Sequence, residues 1–203
     1  MLDFCLKVWM YLIAIGVLVV LIRLPRIWKE TGSLWKWGAL SFLVFSLHLI
    51  EESKIPGGYW FLVNKGVPGY PLNAVSYMIL SLIVFALACL ALMRGLGNIP
   101  AIVFMVFTAK ETSLHCVVLV RESLRICGYF YAPGFVTALL GFFPLSMVLL
   151  VKVIERRPRF AEFCLGIVMS ILFIALLNIL ETQVLTAFSS YAFTDPGFYS
   201  SLG

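Results

Sequence analysis

His48, Glu51 and Glu52 close an apolar run that begins at Trp37, and from Ser41 to Leu47 the only polar side chains are Ser41 and Ser46. On a helix the three stand at i, i+3 and i+4 and share one face. Glu111 and His115 repeat the one-turn spacing, and Asn178 with Glu181 forms a third polar group in an apolar stretch. Imidazoles among carboxylates suit two kinds of chemistry: holding a hard or borderline divalent metal, or general acid–base transfer. Two histidines and four glutamates match in number the ligands of di-iron and di-manganese carboxylate bundles. The spacing differs, because those bundles use Glu-x-x-His and this chain has His-x-x-Glu-Glu and Glu-x-x-x-His. The expected metal ligands are therefore His48, Glu51, Glu52, Glu111, His115 and Glu181, with Fe, Mn or Zn as the ion. Glu51 and His115 are the expected catalytic base and acid.

The elements that must position these residues follow from composition. The chain has 203 residues, 62% of them hydrophobic and 12% charged, with a mean hydropathy of +1.04. Soluble domains carry about 25% charged residues, and a membrane span needs about 20 apolar residues. We expect an all-α polytopic membrane protein, a single-domain bundle of six transmembrane helices at about 5–24, 37–52, 73–93, 99–120, 135–154 and 160–187. The first apolar run is too long for the core of a signal peptide and reads as a retained span. Trp35 and Trp37 read as interfacial anchors, Pro144 as a kink, and 54–72, with its Pro and Gly, as a surface loop. The tail 188–203 is assigned no structure.

The net charge of +5 sits in the connections between spans, so it points to topology and not to nucleic acid. Arg23, Arg26, Lys29, Lys36, Arg94, Lys152, Arg156, Arg157 and Arg159 gather on one side, and Lys7, Lys54, Lys65, Arg121 and Arg125 on the other. The positive-inside rule makes the first side cytoplasmic and places both termini outside. With no organellar transit segment in view, a bacterial inner membrane is expected. The five cysteines are scattered without metal or disulfide spacing and read as free packing thiols.

At about 1.5 Å per residue, His48 lies roughly 17 Å along the second span, Glu111 and His115 about 18 and 24 Å along the fourth, and Asn178 and Glu181 about 27–32 Å along the sixth. The three groups therefore fall in the outer half of the bilayer. An ionised side chain at a helix centre costs about 2.5–3.5 kcal/mol and is normally turned inward and paired. Other readings remain for single residues. Glu51 and Glu52 can mark a helix end, Lys110 or Arg121 can satisfy Glu111, His115 can be a packing residue, and Asn178 and Glu181 can be polar glue.

His48-x-x-Glu51-Glu52, followed by Pro56-Gly57-Gly58 and an aromatic stretch ending at Asn64, resembles the HXXEE family of small multispanning membrane proteins. His115 followed by Tyr131-x-Pro133-Gly134-x-x-Thr137 resembles that family's downstream pattern. The resemblance spans the second to fifth segments and implies that His48, Glu51, Glu52 and His115 form one unit. It names no reaction, and Glu181 lies beyond it.

Two functions are expected. The first is a metal-dependent membrane enzyme acting on a lipophilic substrate, among membrane lipids. The second is non-catalytic: an accessory subunit with partner membrane subunits, or a carrier of protons or metal ions. Turnover by the isolated protein separates them.

Overall fold

Long apolar runs with no water to satisfy their backbone must close their hydrogen bonds internally, and helices do so. The computed structural model describes residues 2–30, 33–54, 74–94, 97–128 and 130–187. Among the described residues it is all helical: α1 (Leu2–Glu30), α2 (Ser33–Lys54), α3 (Ala74–Arg94), α4 (residues 98–127), α5 (Phe135–Arg156) and α6 (Phe160–Ala187). Lys54, expected to open the loop 54–72, ends α2; the rest of that loop, the tail 188–203 and the side chains of Trp35, Lys54, Arg94 and Glu181 lie outside what is described. Among the described residues, four helices are long and apolar enough to cross a membrane, over Val8–Lys29, Asn98–Ile126, Phe135–Arg156 and Phe160–Leu180. The apolar part of α3, Tyr77–Cys89, is shorter. Helix α2 begins at Ser33, ahead of the tryptophan expected to open it.

Apolar side chains form much of the surface as well as the core. Leu12, Ile15 and Ile22 of α1 and Phe160, Ile171, Leu172 and Ile179 of α6 point outward, while His48, Glu51, Glu52, Glu111 and His115 are buried. Polar side chains inside and apolar ones outside is the arrangement that a hydrocarbon environment favours.

Helix α2 packs against α1 and α3, and α4 against α5 and α6. Aromatic rings join these groups at the centre. Phe45 of α2 stacks on Phe107 of α4 at 5.4 Å and lies 4.8 Å from Phe142 of α5, geometries that add about 0.5–1.5 kcal/mol each beyond area burial. Ile102 of α4 with Leu145, Leu149 and Val153 of α5 forms a second apolar cluster.

Both helices that flank the polar residues contain a wider turn. In α4 a π-helical stretch, Leu114–Leu119, interrupts the α-helix between Asn98–Ser113 and Val120–Cys127. In α5 the π stretch Ala138–Phe142 stands between Phe135–Thr137 and Phe143–Arg156. Pro144, expected as a kink, lies in the first turn after it. A proline cannot donate to the ladder, and the wider turn stands where that bond would be lost. Residues 114–119 include His115, so the π turn re-aims a functional side chain.

Helix α6 approaches α4 through Gly166, where an added Cβ would come within 2.9 Å of Ile102. We expect Gly166→Leu to destabilise the protein by about 1–3 kcal/mol through overpacking, seen as a lower thermal-unfolding midpoint in detergent. Cys164→Leu, at an exposed position on the same helix, should leave the midpoint unchanged.

Candidate functional site

The geometry of α2 decides how the first trio divides. At about 100° per residue, Glu51 and Glu52 diverge by that angle, with His48 between them. Glu52 therefore stays beside His48 and faces α4, whereas Glu51 turns toward the start of α5.

Glu51 is fully engaged there. Its Oε1 accepts from the Tyr131 hydroxyl at 2.9 Å and the Val136 N–H at 2.9 Å. Its Oε2 accepts from the Thr137 N–H at 2.7 Å and from the Thr137 hydroxyl. A carboxylate from one helix thus caps the N-terminus of another, meeting orphan N–H groups and the positive end of the dipole. Gly134, at φ +85°, turns the chain into that first turn. Burial and the Glu51 carboxylate beside it push the Tyr131 phenol up from its ordinary pKa, so Tyr131 remains a donor.

The other four residues meet around one point. The two imidazoles stand edge to face, with ring centroids 4.6 Å apart. His48 Nε2 lies 3.2 Å from Glu52 Oε1, and His115 Nε2 lies 3.0 Å from the same oxygen and 3.5 Å from Glu111 Oε2. Each outer atom has a separate partner. His48 Nδ1 meets Thr137 Oγ1 at 2.8 Å, and His115 Nδ1 donates to the Pro133 carbonyl at 2.8 Å. Glu52 Oε2 accepts from Tyr77 at 3.2 Å, and Glu111 Oε1 from the Lys110 ammonium at 2.7 Å. Phe142 covers the His48 ring at 4.3 Å. His115 is 0% exposed, and Glu111, at 9%, is the least covered of the four.

Because a carbonyl only accepts, His115 carries its proton on Nδ1, and Nε2 is left facing two carboxylate oxygens. That buried nitrogen makes no hydrogen bond of acceptable geometry. A donor atom so placed is what a metal ligand needs, with its outer nitrogen held by a backbone carbonyl. Ligands about 2.0–2.2 Å from a tetrahedral ion stand about 3.3–3.6 Å apart, and three of the contacts here, at 3.0, 3.2 and 3.5 Å, fall in or just below that range. The candidate ligand atoms of His48, Glu111 and His115 lie within 4.8 Å of one another, and the group could hold a metal ion.

Of the residues expected at the site, the structure brings together His48, Glu52, Glu111 and His115 and places Glu51 in the adjoining layer. Glu181 lies on α6 with its side chain outside the described residues, and its neighbour Asn178 is exposed. Among the described residues the convergence is of α2, α4 and the start of α5, with Tyr77 from α3. Sequence reasoning missed Tyr77, which nothing in its neighbourhood marks. Thr137, Pro133 and Gly134 had a signal in the downstream pattern but no assigned role.

A family model described as a protein of unknown function with HXXEE motif matches residues 39–149. The matched stretch holds all the residues of this centre, from His48 to Thr137, and ends before Glu181. No curated protein and no solved structure matches the chain.

Gly134 separates the two imidazoles from the backbone. A Cβ there would come within 2.7 Å of His48 Cε1 and of His115 Cε1 and Nδ1. Gly134→Ala should destabilise by about 1–3 kcal/mol from left-handed strain alone, and more from the clash, measured by thermal unfolding in detergent. An unchanged midpoint would mean that the histidines are not held as described.

Proposed function

The chain belongs to the HXXEE-motif family, and we propose that it is an integral membrane protein whose His48, Glu52, Glu111 and His115 bind one divalent metal ion. The observation that carries the proposal is the inward turn of both Nε2 atoms onto Glu52 Oε1, with His115 Nδ1 committed to a backbone carbonyl. Charge supports it. With both histidines neutral and Glu111 paired to Lys110, Glu51 and Glu52 leave a net charge of −2, of which the N–H groups and dipole of α5 offset only part on Glu51, and a divalent cation compensates the rest. Uncompensated buried charge is strongly destabilising. The donor set of imidazoles and carboxylates suits Zn, Fe or Mn, and needs no thiolate.

The activity we propose is metal-dependent chemistry on a lipophilic substrate. A bound divalent ion supplies Lewis acidity to a substrate oxygen or acidifies a water molecule. The chain's own residues then have distinct tasks. Glu52 and the two histidines fix the position, Glu111 and Lys110 form the open edge, and Glu51 holds α5 against α2. Exposed Val117, Val136, Leu139 and Leu140 give the neighbouring α4 and α5 apolar surface suited to a lipid or isoprenoid chain.

We further propose six membrane spans, with the site in the outer half. The basic residues at the end of α1, the start of α2 and the end of α5 lie at the opposite end of the bundle, which the positive-inside rule assigns to the cytoplasm. Both termini are then outside, in a bacterial inner membrane. One observation favours a second reading: 3.0 and 3.2 Å are also lengths of hydrogen bonds between imidazolium and carboxylate. Two protonated histidines would balance the same charges, and the cluster would serve as the polar core of an accessory subunit or of a proton or metal carrier.

Elemental analysis of protein purified without chelator separates these readings. Near-stoichiometric Fe, Mn or Zn is expected in wild type and in Glu122→Gln, and at least about a tenfold loss in Glu52→Gln and His115→Gln, the scale set even by outer-layer changes. Wild-type protein that retains no ion after exposure to all three metals would exclude the metal centre. Stoichiometric co-purification of other membrane subunits would then favour the accessory role.

A further inference from the structure

Glu51 does more than anchor α5, because the hydrogens around it can be counted. A carboxylate offers about four acceptor positions and no donor. The Tyr131 hydroxyl, the Val136 and Thr137 N–H groups and the Thr137 hydroxyl occupy them. The hydrogen between Thr137 and Glu51 therefore belongs to Thr137, which has only one. Its oxygen is left with lone pairs alone toward His48 Nδ1, 2.8 Å away. The contact is made only if Nδ1 bears the proton.

We infer that Glu51, acting through the Thr137 hydroxyl, holds the proton of the neutral His48 ring on Nδ1 and so leaves the Nε2 lone pair facing the centre beside Glu52 Oε1. Glu51 and Thr137 are positioning residues, since neither faces the space between the four ligands. The two glutamates of the motif then have different tasks: Glu52 is a ligand, and Glu51 decides which nitrogen of the motif's histidine can be one. His115 reaches the same protonation state by another route, through the Pro133 carbonyl, so it serves as an internal control. The value of the tautomer rests on the metal reading above, but its existence does not.

The test is made on metal-free, full-length protein in detergent. Nitrogen-15 NMR of the imidazoles, followed upward in pH until the shifts of each ring report its neutral form, reads the protonated nitrogen directly. The chain has only two histidines, and His115→Gln assigns the signals. Wild-type His48 should show a protonated Nδ1 and a bare Nε2. Thr137→Val removes the acceptor, so the proton should move to Nε2, where Glu52 Oε1 stands 3.2 Å away. Thr137→Ser should restore the wild-type pattern. Glu51→Leu removes the acceptor that holds the hydroxyl hydrogen, so the proton should move in the same direction; a proton that stays on Nδ1 because the hydroxyl hydrogen turns to the Gly134 carbonyl, 3.3 Å away, would take this role from Glu51. His115 should stay protonated on Nδ1 throughout. A Thr137→Val protein whose His48 keeps its proton on Nδ1, or a wild type with the proton on Nε2, would overturn the inference. Added zinc should bind the Thr137→Val protein about 10–100-fold more weakly. A tautomer that moves as expected in a protein with no zinc affinity would overturn the metal reading and leave this one standing.

Discussion

The carboxylate of Glu51 at the N-terminus of α5 is the interaction on which the rest of this centre depends. It ties the C-terminal end of α2 to the first turn of α5 through Val136 and Thr137, and to the preceding segment through Tyr131. That junction brings Gly134 against both imidazoles, and Pro133 and Thr137 within reach of their Nδ1 atoms. Where a helix end is buried away from water, an unmatched N–H is expensive. A buried anion is expensive too. Each answers the other, and the pairing leaves Glu52 free to face inward with His48.

The second constraint is charge. In an apolar bundle every ionised group must be compensated within a few ångströms, because the surroundings do little screening. Glu111 has Lys110, Glu51 has the dipole and N–H groups of α5, and Glu52 has Tyr77 on one oxygen. Its other oxygen is the common neighbour of both histidines. The aromatic layer of Phe45, Phe107 and Phe142 directly beneath closes the centre on its inner side. On the proposed reading, an ion between His48, Glu52, Glu111 and His115 would answer the charge that remains.

Much of this was legible in the sequence, and the reasons are physical. The six helices follow from long apolar runs. His48, Glu52, Glu111 and His115 stood out because charged groups one turn apart in such runs have to face something. Depth along a helix, however, says nothing about direction around it. Asn178 shares the depth of the others and is exposed on α6, so depth alone does not bring a side chain to the centre. Glu51 and Glu52 are neighbours in sequence and separate by about 100° around the axis, which divides their roles in a way that spacing to His48 alone does not reveal. The Pro133 carbonyl carries no side-chain signal at all. The π turns in α4 and α5 likewise depend on how the helices meet, and no local pattern announces them.

X-ray absorption at the metal edge of zinc-loaded, detergent-purified protein tests the central claim most directly, because it reads the ligands themselves. The account predicts two imidazole nitrogens and carboxylate oxygens at about 2.0–2.2 Å from the ion. A sulfur scatterer at about 2.3 Å, or a shell of water oxygens without imidazole, would contradict it.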